Sequence, residues 1–228
     1  MIRNIIFSVF LLCALNIKAQ VNLQTRVNVQ TQEMKELNVI KLNEPDKTRG
    51  SSVMKALNDR QTIREYSPES LRPQDLSDLL WAANGINRPD GKRTAPSARN
   101  LQEVEMYVVF PEGAYWYDYK RHALVLVATG DYRRAVAGSQ DFAATAPMSI
   151  VLAADMTKYG ENMNSENSKL MAAVDVGIVC QNINIACAGL GLATVPRGTM
   201  DHAALRTALK LADTHLLLMN NPVGYPKK

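Results

Sequence analysis

Residues 168–198 read SKLMAAVDVGIVCQNINIACAGLGLATVPRG. From Leu170 to Leu190 only Asp175 is charged, and at helical rise that run is roughly 30 Å long, the span of a small domain or of a bilayer. The polar insertions choose between the two. Asp175, Gln181, Asn182 and Asn184 would lie at hydrocarbon depth, where unsatisfied groups are costly, so the pattern predicts a central core helix. Apolar residues lie all round it, and small Ala172, Ala173, Gly177, Ala186, Ala188 and Gly189 admit close neighbours. Such a helix is sandwiched on every side. Gly189 and Gly191 supply its stop. Thr194-Val195-Pro196-Arg197-Gly198 is then a backbone run held at the end of a rigid element, suited to presenting a site.

The start of the chain bounds the compartment. Arg3, an apolar run from Ile5 to Ile17 and Lys18-Ala19-Gln20 have the three-part form of a secretory signal, with cleavage expected after Ala19. The apolar run is too short for a spanning anchor. Residues 1–19 are therefore expected to be a signal peptide and the mature protein to be periplasmic or secreted. Its removal takes Arg3 and Lys18 and no acid, lowering the formal charge from +4 to +2. That charge is too small to imply a nucleic-acid or membrane partner. Cys180 and Cys187 remain; seven residues of helix put their Cα atoms about 10 Å apart, too far for a disulfide, so they read as core thiols.

In chain order, residues 20–50 are polar and turn-rich and read as a leader arm over the domain, which occupies 51–228. Ser51 or Ser52 caps a helix over Val53–Asn58, and Pro73 opens a second, running to Asn84. Strands are expected at Met106–Phe110, Gly113–Tyr119 and Ala123–Val127, a helix at Asp131–Ala144 and a strand at Met148–Ala153. After the central helix, Asp201 caps a helix to Leu211, and Leu216–Met219 is a last strand. Three successive strands with short connections favour an α+β fold with a mixed, mostly antiparallel sheet flanked by helices around the long central helix.

No hydrolytic or metal signature is present: His122, His202 and His215 lack ligand spacing, and no Gly-rich phosphate loop occurs. Three polar stretches stand out instead. Arg60, Thr62 and Arg64 place two guanidinium forks and a hydroxyl in one short loop, which suits a phosphate, although such a pair is more often a solvated surface turn. Pro96 to Gln102 offers the amides of Asn100 and Gln102 just before a strand, or simply a turn with a capping Asn. In Pro196-Arg197-Gly198 the two backbone N–H groups after the proline can point at a ligand.

Arg60-Gln61-Thr62-Ile63-Arg64, Pro96-Ser97-Ala98-Arg99-Asn100-Leu101-Gln102, the helix with Asp175 and Gln181-Asn182, Gly189-Leu190-Gly191 running to Pro196-Arg197-Gly198, and Pro222-Val223-Gly224-Tyr225-Pro226 together resemble the FMN-dependent nitroreductase family. The resemblance runs from about Ser51 to Pro226. Leu79 to Ile86 and Arg93 to Ala98 further resemble its peptide-azoline dehydrogenase-like branch.

The resemblance implies a nitroreductase-like fold with FMN as cofactor. Arg60, Gln61, Thr62 and Arg64 match the loop that holds the FMN phosphate and ribityl chain, with Lys227 or Lys228 as a further basic residue there. Asn100 matches the residue that reaches the flavin ring. Pro96, Ser97 and Ala98 match a segment that approaches the FMN of a neighbouring subunit, which implies a homodimer. Pro196, Arg197 and Gly198 match the turn against the isoalloxazine, where a backbone N–H faces N5. No catalytic side chain is implied, because the cofactor carries the chemistry. The implied reaction takes electrons from NAD(P)H or another donor to an acceptor such as a nitroaromatic or quinone. The alternatives are an exported flavin-binding protein without turnover and an azoline-type dehydrogenase.

Overall fold

The computed structural model describes residues 38–228, of which Ile40–Lys228 form one compact unit. The expected signal peptide, residues 1–19, and the leader arm up to residue 37 lie outside the described residues. A seven-stranded sheet is built from β1 (Val39–Lys41), β2 (Val104–Val109), β3 (Gly113–Asp118), β4 (Ala123–Thr129), β5 (Met148–Asp155), β6 (Ala193–Thr194) and β7 (His215–Gly224), in the order β1-β4-β3-β2-β5-β7-β6. The pairings β2–β3, β3–β4, β2–β5, β5–β7 and β6–β7 are antiparallel.

Side chains that alternate along a strand face opposite sides of a sheet, and here both sides are buried. Met106 and Val108 of β2 with Ile150 and Leu152 of β5 join one cluster, which also holds Leu79, Leu80, Val176, Val179, Ile183 and Cys187 of two helices. Tyr107, Val109, Val151 and Ala153 face the other way, toward Val136, Leu205 and Leu209. The helices are α1 (Val53–Asp59), α2 (Pro73–Asn84), α3 (Arg133–Ala137), α4 (Glu166–Leu190) and α5 (His202–Ala208).

α4 is the central helix. Ser165 caps it through the Ser168 N–H, and Gly191, left-handed at φ 72, ends it. Its polar residues find partners: the Asn182 side chain donates to Ala83 O at 3.2 Å, and Asn221 donates to Asn184 at 3.3 Å. Cys180 and Cys187 are free and buried, and burial pushes the Cys180 thiol up to about 11. The expectation of cover on every side fails within one chain, because Leu170 is 58% and Val174 47% exposed. A Cβ on nearby Gly177 would meet nothing within 4 Å.

Three further expectations are corrected. The helix expected at Asp131–Ala144 is α3 followed by a separate 3-10 turn, Asp141–Thr145. Gly138 breaks it at φ 57, where a Cβ would press to 3.1 Å from the Met200 backbone. The last strand runs beyond Met219 through Asn220-Asn221-Pro222, because Thr194 draws it in: its hydroxyl donates to Pro222 O at 2.9 Å and accepts from the Asn221 amide at 3.2 Å. α5 stops at Ala208, short of Leu211.

Residues before Ser51 contribute to the packing. The Arg49 guanidinium bridges Asp75 and Asp78 of α2, both contacts at 2.5 Å. The Asp75 carboxyl is held below its ordinary range: burial pushes it up, but bonds from Tyr225, Arg49 and Arg72 outweigh that.

Candidate functional site

The loop after α1 is stitched to two distant parts of the chain. The Ile63 N–H donates to Thr194 O of β6 at 3.1 Å, Ser67 N–H to Tyr225 O at 2.8 Å, and Lys227 N–H to Glu65 O at 3.2 Å. Ile63 and Tyr66 turn inward on Phe142, Ala146 and Ala193. Arg60, Gln61, Thr62 and Arg64 are left at the surface, as are the Lys227 and Lys228 side chains. The Arg64 guanidinium stands 5.8 Å from the centre of the Phe142 ring. Neither Arg60 nor Arg64 has an ion-pair partner among the described residues. Burial pushes the Tyr66 phenol above its ordinary value, against the pull of Arg197 and Arg64.

The turn Pro196–Gly198 adjoins this loop, since the Arg197 guanidinium lies 5.5 Å from the same Phe142 ring. Pro196 and Gly198 are exposed; Arg197 is buried. One expectation is corrected here: the Arg197 N–H is not available to a ligand, because it donates to Asn220 O at 2.8 Å while Asn220 N–H returns to Arg197 O at 2.7 Å. The Gly198 N–H has no acceptor among the described residues. Arg197's side chain points inward instead. It donates to Gln140 Oε1 at 2.8 Å, Val136 O at 3.1 Å, Ala137 O at 2.7 Å and Asn220 Oδ1 at 2.7 Å. It thus satisfies the last carbonyls of α3 and fixes the turn to β7.

The Pro96–Asn100 stretch is anchored elsewhere. Ala98 N–H donates to Asp175 Oδ2 at 2.7 Å, and Gln102 N–H to Ser97 Oγ at 2.8 Å. Asp175 lies toward the N-terminal half of α4, whereas Thr194 is tied through Asn221 to Asn184, about 13 Å of helical rise further on. No hydrogen bond joins the two loops among the described residues. Arg99, Asn100 and Gln102 adopt φ of 53, 57 and 54, a region that costs about 1–3 kcal/mol for a non-glycine residue and least for Asn. Asn100 is exposed at the crest.

Arg60, Gln61, Thr62, Arg64, Pro196, Arg197, Gly198 and Lys227 are therefore gathered in one region, and Pro96, Ser97, Ala98 and Asn100 lie in another. The sequence reading missed Phe142, Gln140 and Asn220, which shape the first, and Glu103 and Tyr159 behind the second. A lone acid in an apolar helix, Asp175, was the one legible sign of the latter. An exposed cationic loop without carboxylate partners, beside a free backbone N–H, fits an anionic ligand with a hydrogen-bond acceptor on its ring system. A phosphate-bearing flavin has both.

Known proteins point the same way. The Nitroreductase family profile matches residues 57–225. A nitroreductase-family protein of Methanocaldococcus jannaschii is 32% identical over 174 residues, covering 72% of this chain and 86% of the other. The FMN reductase [NAD(P)H] of Bacillus subtilis is 27% identical over 161 residues, covering 66% of this chain and 55% of that protein. A crystal structure of a nitroreductase-family protein from Ralstonia eutropha superposes with a TM-score of 0.78 at 33% identity, covering 84% of this chain and 90% of that one. The chain belongs to the nitroreductase family and is a flavin-type oxidoreductase of that fold.

Proposed function

We propose that the protein binds FMN between two copies of the chain and passes electrons from NAD(P)H or another donor to an acceptor such as a nitroaromatic or quinone. The observation that carries this reading is the cationic surface laced from Arg60–Arg64, the Pro196–Gly198 turn and the C-terminal tail. Arg60, Thr62 and Arg64 hold the phosphate, with Lys227 adding charge at the rim. Gly198 N–H is the donor left to orient the ring and stabilise charge that develops there. Bound flavin supplies the hydride and electron transfer. The name of the Bacillus subtilis relative supports both the cofactor and the nicotinamide donor.

A second copy is proposed because the Ser97–Asn100 loop is attached well along α4 from its own chain's cationic loop. Leu170 and Val174 on α4, with Val53, Met54 and Leu57 on α1, expose apolar surface that an isologous contact would bury. Light scattering at micromolar concentration is expected to give twice the chain mass; a single-chain mass with FMN bound defeats the shared site. Export through residues 1–19 completes the proposal, placing the enzyme in the periplasm or outside the cell, and Gln20 is the N-terminus expected by mass spectrometry.

The deciding measurement is an absorption spectrum of the purified protein. A yellow sample that bleaches with NAD(P)H and recovers with a quinone supports the enzyme. One inert to every donor supports a flavin-binding protein without turnover, and a colourless protein that takes up no added FMN refutes both.

A further inference from the structure

The loop between Ser97 and Glu103 is pinned at both ends to buried carboxyl groups. Asp175, 4% exposed, accepts the Ala98 N–H at 2.7 Å. Glu103, wholly buried, accepts the Tyr159 hydroxyl on Oε1 at 3.0 Å, and its backbone carbonyl accepts the Asp155 N–H at 3.0 Å. Among the described residues Glu103 Oε2 receives no donor, and Asp175, which holds the other end of the same loop, is the acid that raises the Glu103 carboxyl. Two ionised carboxylates only accept, so a bond between them requires a proton on one. Between the anchors, Arg99, Asn100 and Gln102 are all left-handed, a backbone that persists only where its surroundings over-determine it. Ala98, Arg99 and Tyr159 also line a cleft with Ser165, Ser168 and Met171, into which a released loop has room to move.

We propose that Glu103 and Asp175 are positioning residues: one proton shared between them clasps the Ala98–Gln102 loop, and with it the Ser97, Ala98 and Asn100 groups that meet the flavin. The flavin half of this proposal rests on the reading given under Proposed function; the clasp itself does not.

Every charged or titratable neighbour of the pair bears on its sign. Tyr159 faces Glu103 from the 3-10 turn Met156–Asn162, and Arg99 stands with its guanidinium 5.6 Å from the centre of the Tyr159 ring. From β5, Asp155 spends its carboxylate on Thr157. On β2, Glu105 is occupied by Tyr107 and His215. No cation pairs with the two acids among the described residues. Burial first, and then the Asp175 carboxyl, push Glu103 from 4.5 up to about 7. A raised carboxyl pKa means that the clasp is complete below the ordinary value and is lost as pH rises to about 7.

Hydrogen exchange of the purified protein, read on peptides spanning 98–102 and corrected for intrinsic rates, tests this. Protection in the wild type is expected to fall roughly a hundredfold between pH 4.5 and 7.5, with no such fall in β5. Glu103→Gln keeps a donor toward Asp175 and an acceptor for Tyr159 without a titrating proton, so its profile is expected to be flat. Asp175→Asn preserves the contacts from the other side and serves if the first variant does not fold. A flat wild-type profile, or the same slope in a folded variant, overturns the clasp. FMN titrations over the same range test the positioning: affinity should fall with pH in the wild type and hold steady in Glu103→Gln, and equal slopes in both overturn that role. A chain that takes up no FMN at any pH refutes the flavin reading and the positioning role with it, while the exchange profile still decides the clasp.

Discussion

Two loops flank α4 and solve opposite problems. The loop Arg60–Ser67 is held by backbone hydrogen bonds to β6 and the C-terminal tail, so its outward side chains are free, and its two surface cations, Arg60 and Arg64, have no ion-pair partner among the described residues. The Ser97–Glu103 loop is held by side chains, the carboxyls of Asp175 and Glu103 in the core, so its backbone can stay in a strained shape. A loop fixed by its backbone can lose side chains without unfolding. One fixed by buried acids cannot change them without changing its shape. Sequence variation at the first is therefore expected to alter ligand affinity, and at the second stability and its pH dependence.

The largest effect expected from this contrast is on the cationic side. Replacing Arg60 and Arg64 together with Ala removes two charge-assisted contacts of about 1.5–3 kcal/mol each, so FMN affinity measured by fluorescence titration should fall by roughly a hundred- to ten-thousandfold. The melting temperature should stay within about a degree or two, since both residues are exposed and substitution of such residues shifts stability by no more than about 0.5 kcal/mol. Wild-type affinity in the double variant refutes the phosphate assignment.

Arg197 sharpens the contrast, because it is a cation on the same side that behaves as a core residue. Arg197→Ala strips donors from the Val136, Ala137 and Asn220 oxygens, and unsatisfied buried groups cost about 1–3 kcal/mol apiece. A drop of several degrees in melting temperature is expected, with the α3 end and the Pro196–Gly198 turn exchanging amide hydrogens faster. An unchanged melting temperature means that the inward bonds do not matter.

The smallest effect belongs to Lys227. Its backbone N–H is part of the stitching to Glu65, but its side chain is exposed, and an exposed charge contributes about 0.2–1 kcal/mol. Lys227→Ala is thus expected to weaken FMN only a few-fold, and more at low salt than at high. A loss as large as that of the double arginine variant moves the centre of the phosphate site from the loop to the tail.

Local chemistry decided much of this protein in the sequence itself. The apolar run around Asp175, the Pro73 start and Gly191 stop, and the apolar runs Met106–Phe110 and Met148–Ala153 each rest on neighbouring residues, and the helices and strands they mark are present. The candidate flavin residues were named from short stretches that, taken together and in order, resemble the nitroreductase family. Tertiary structure decided what depends on distant partners. It carried the last strand through Asn220-Asn221-Pro222, because Thr194 supplies bonds that outweigh the local turn composition. It broke the helix expected over Asp131–Ala144 at Gly138, which lies against the Met200 backbone. Arg197 was turned into the core, where carbonyls from α3 and the Asn220 side chain meet it. Glu103 and Asp175, 72 positions apart in the chain, were buried at the two ends of one loop, a juxtaposition that no local pattern encodes, because the burial of two acids around one segment is a property of the packed fold.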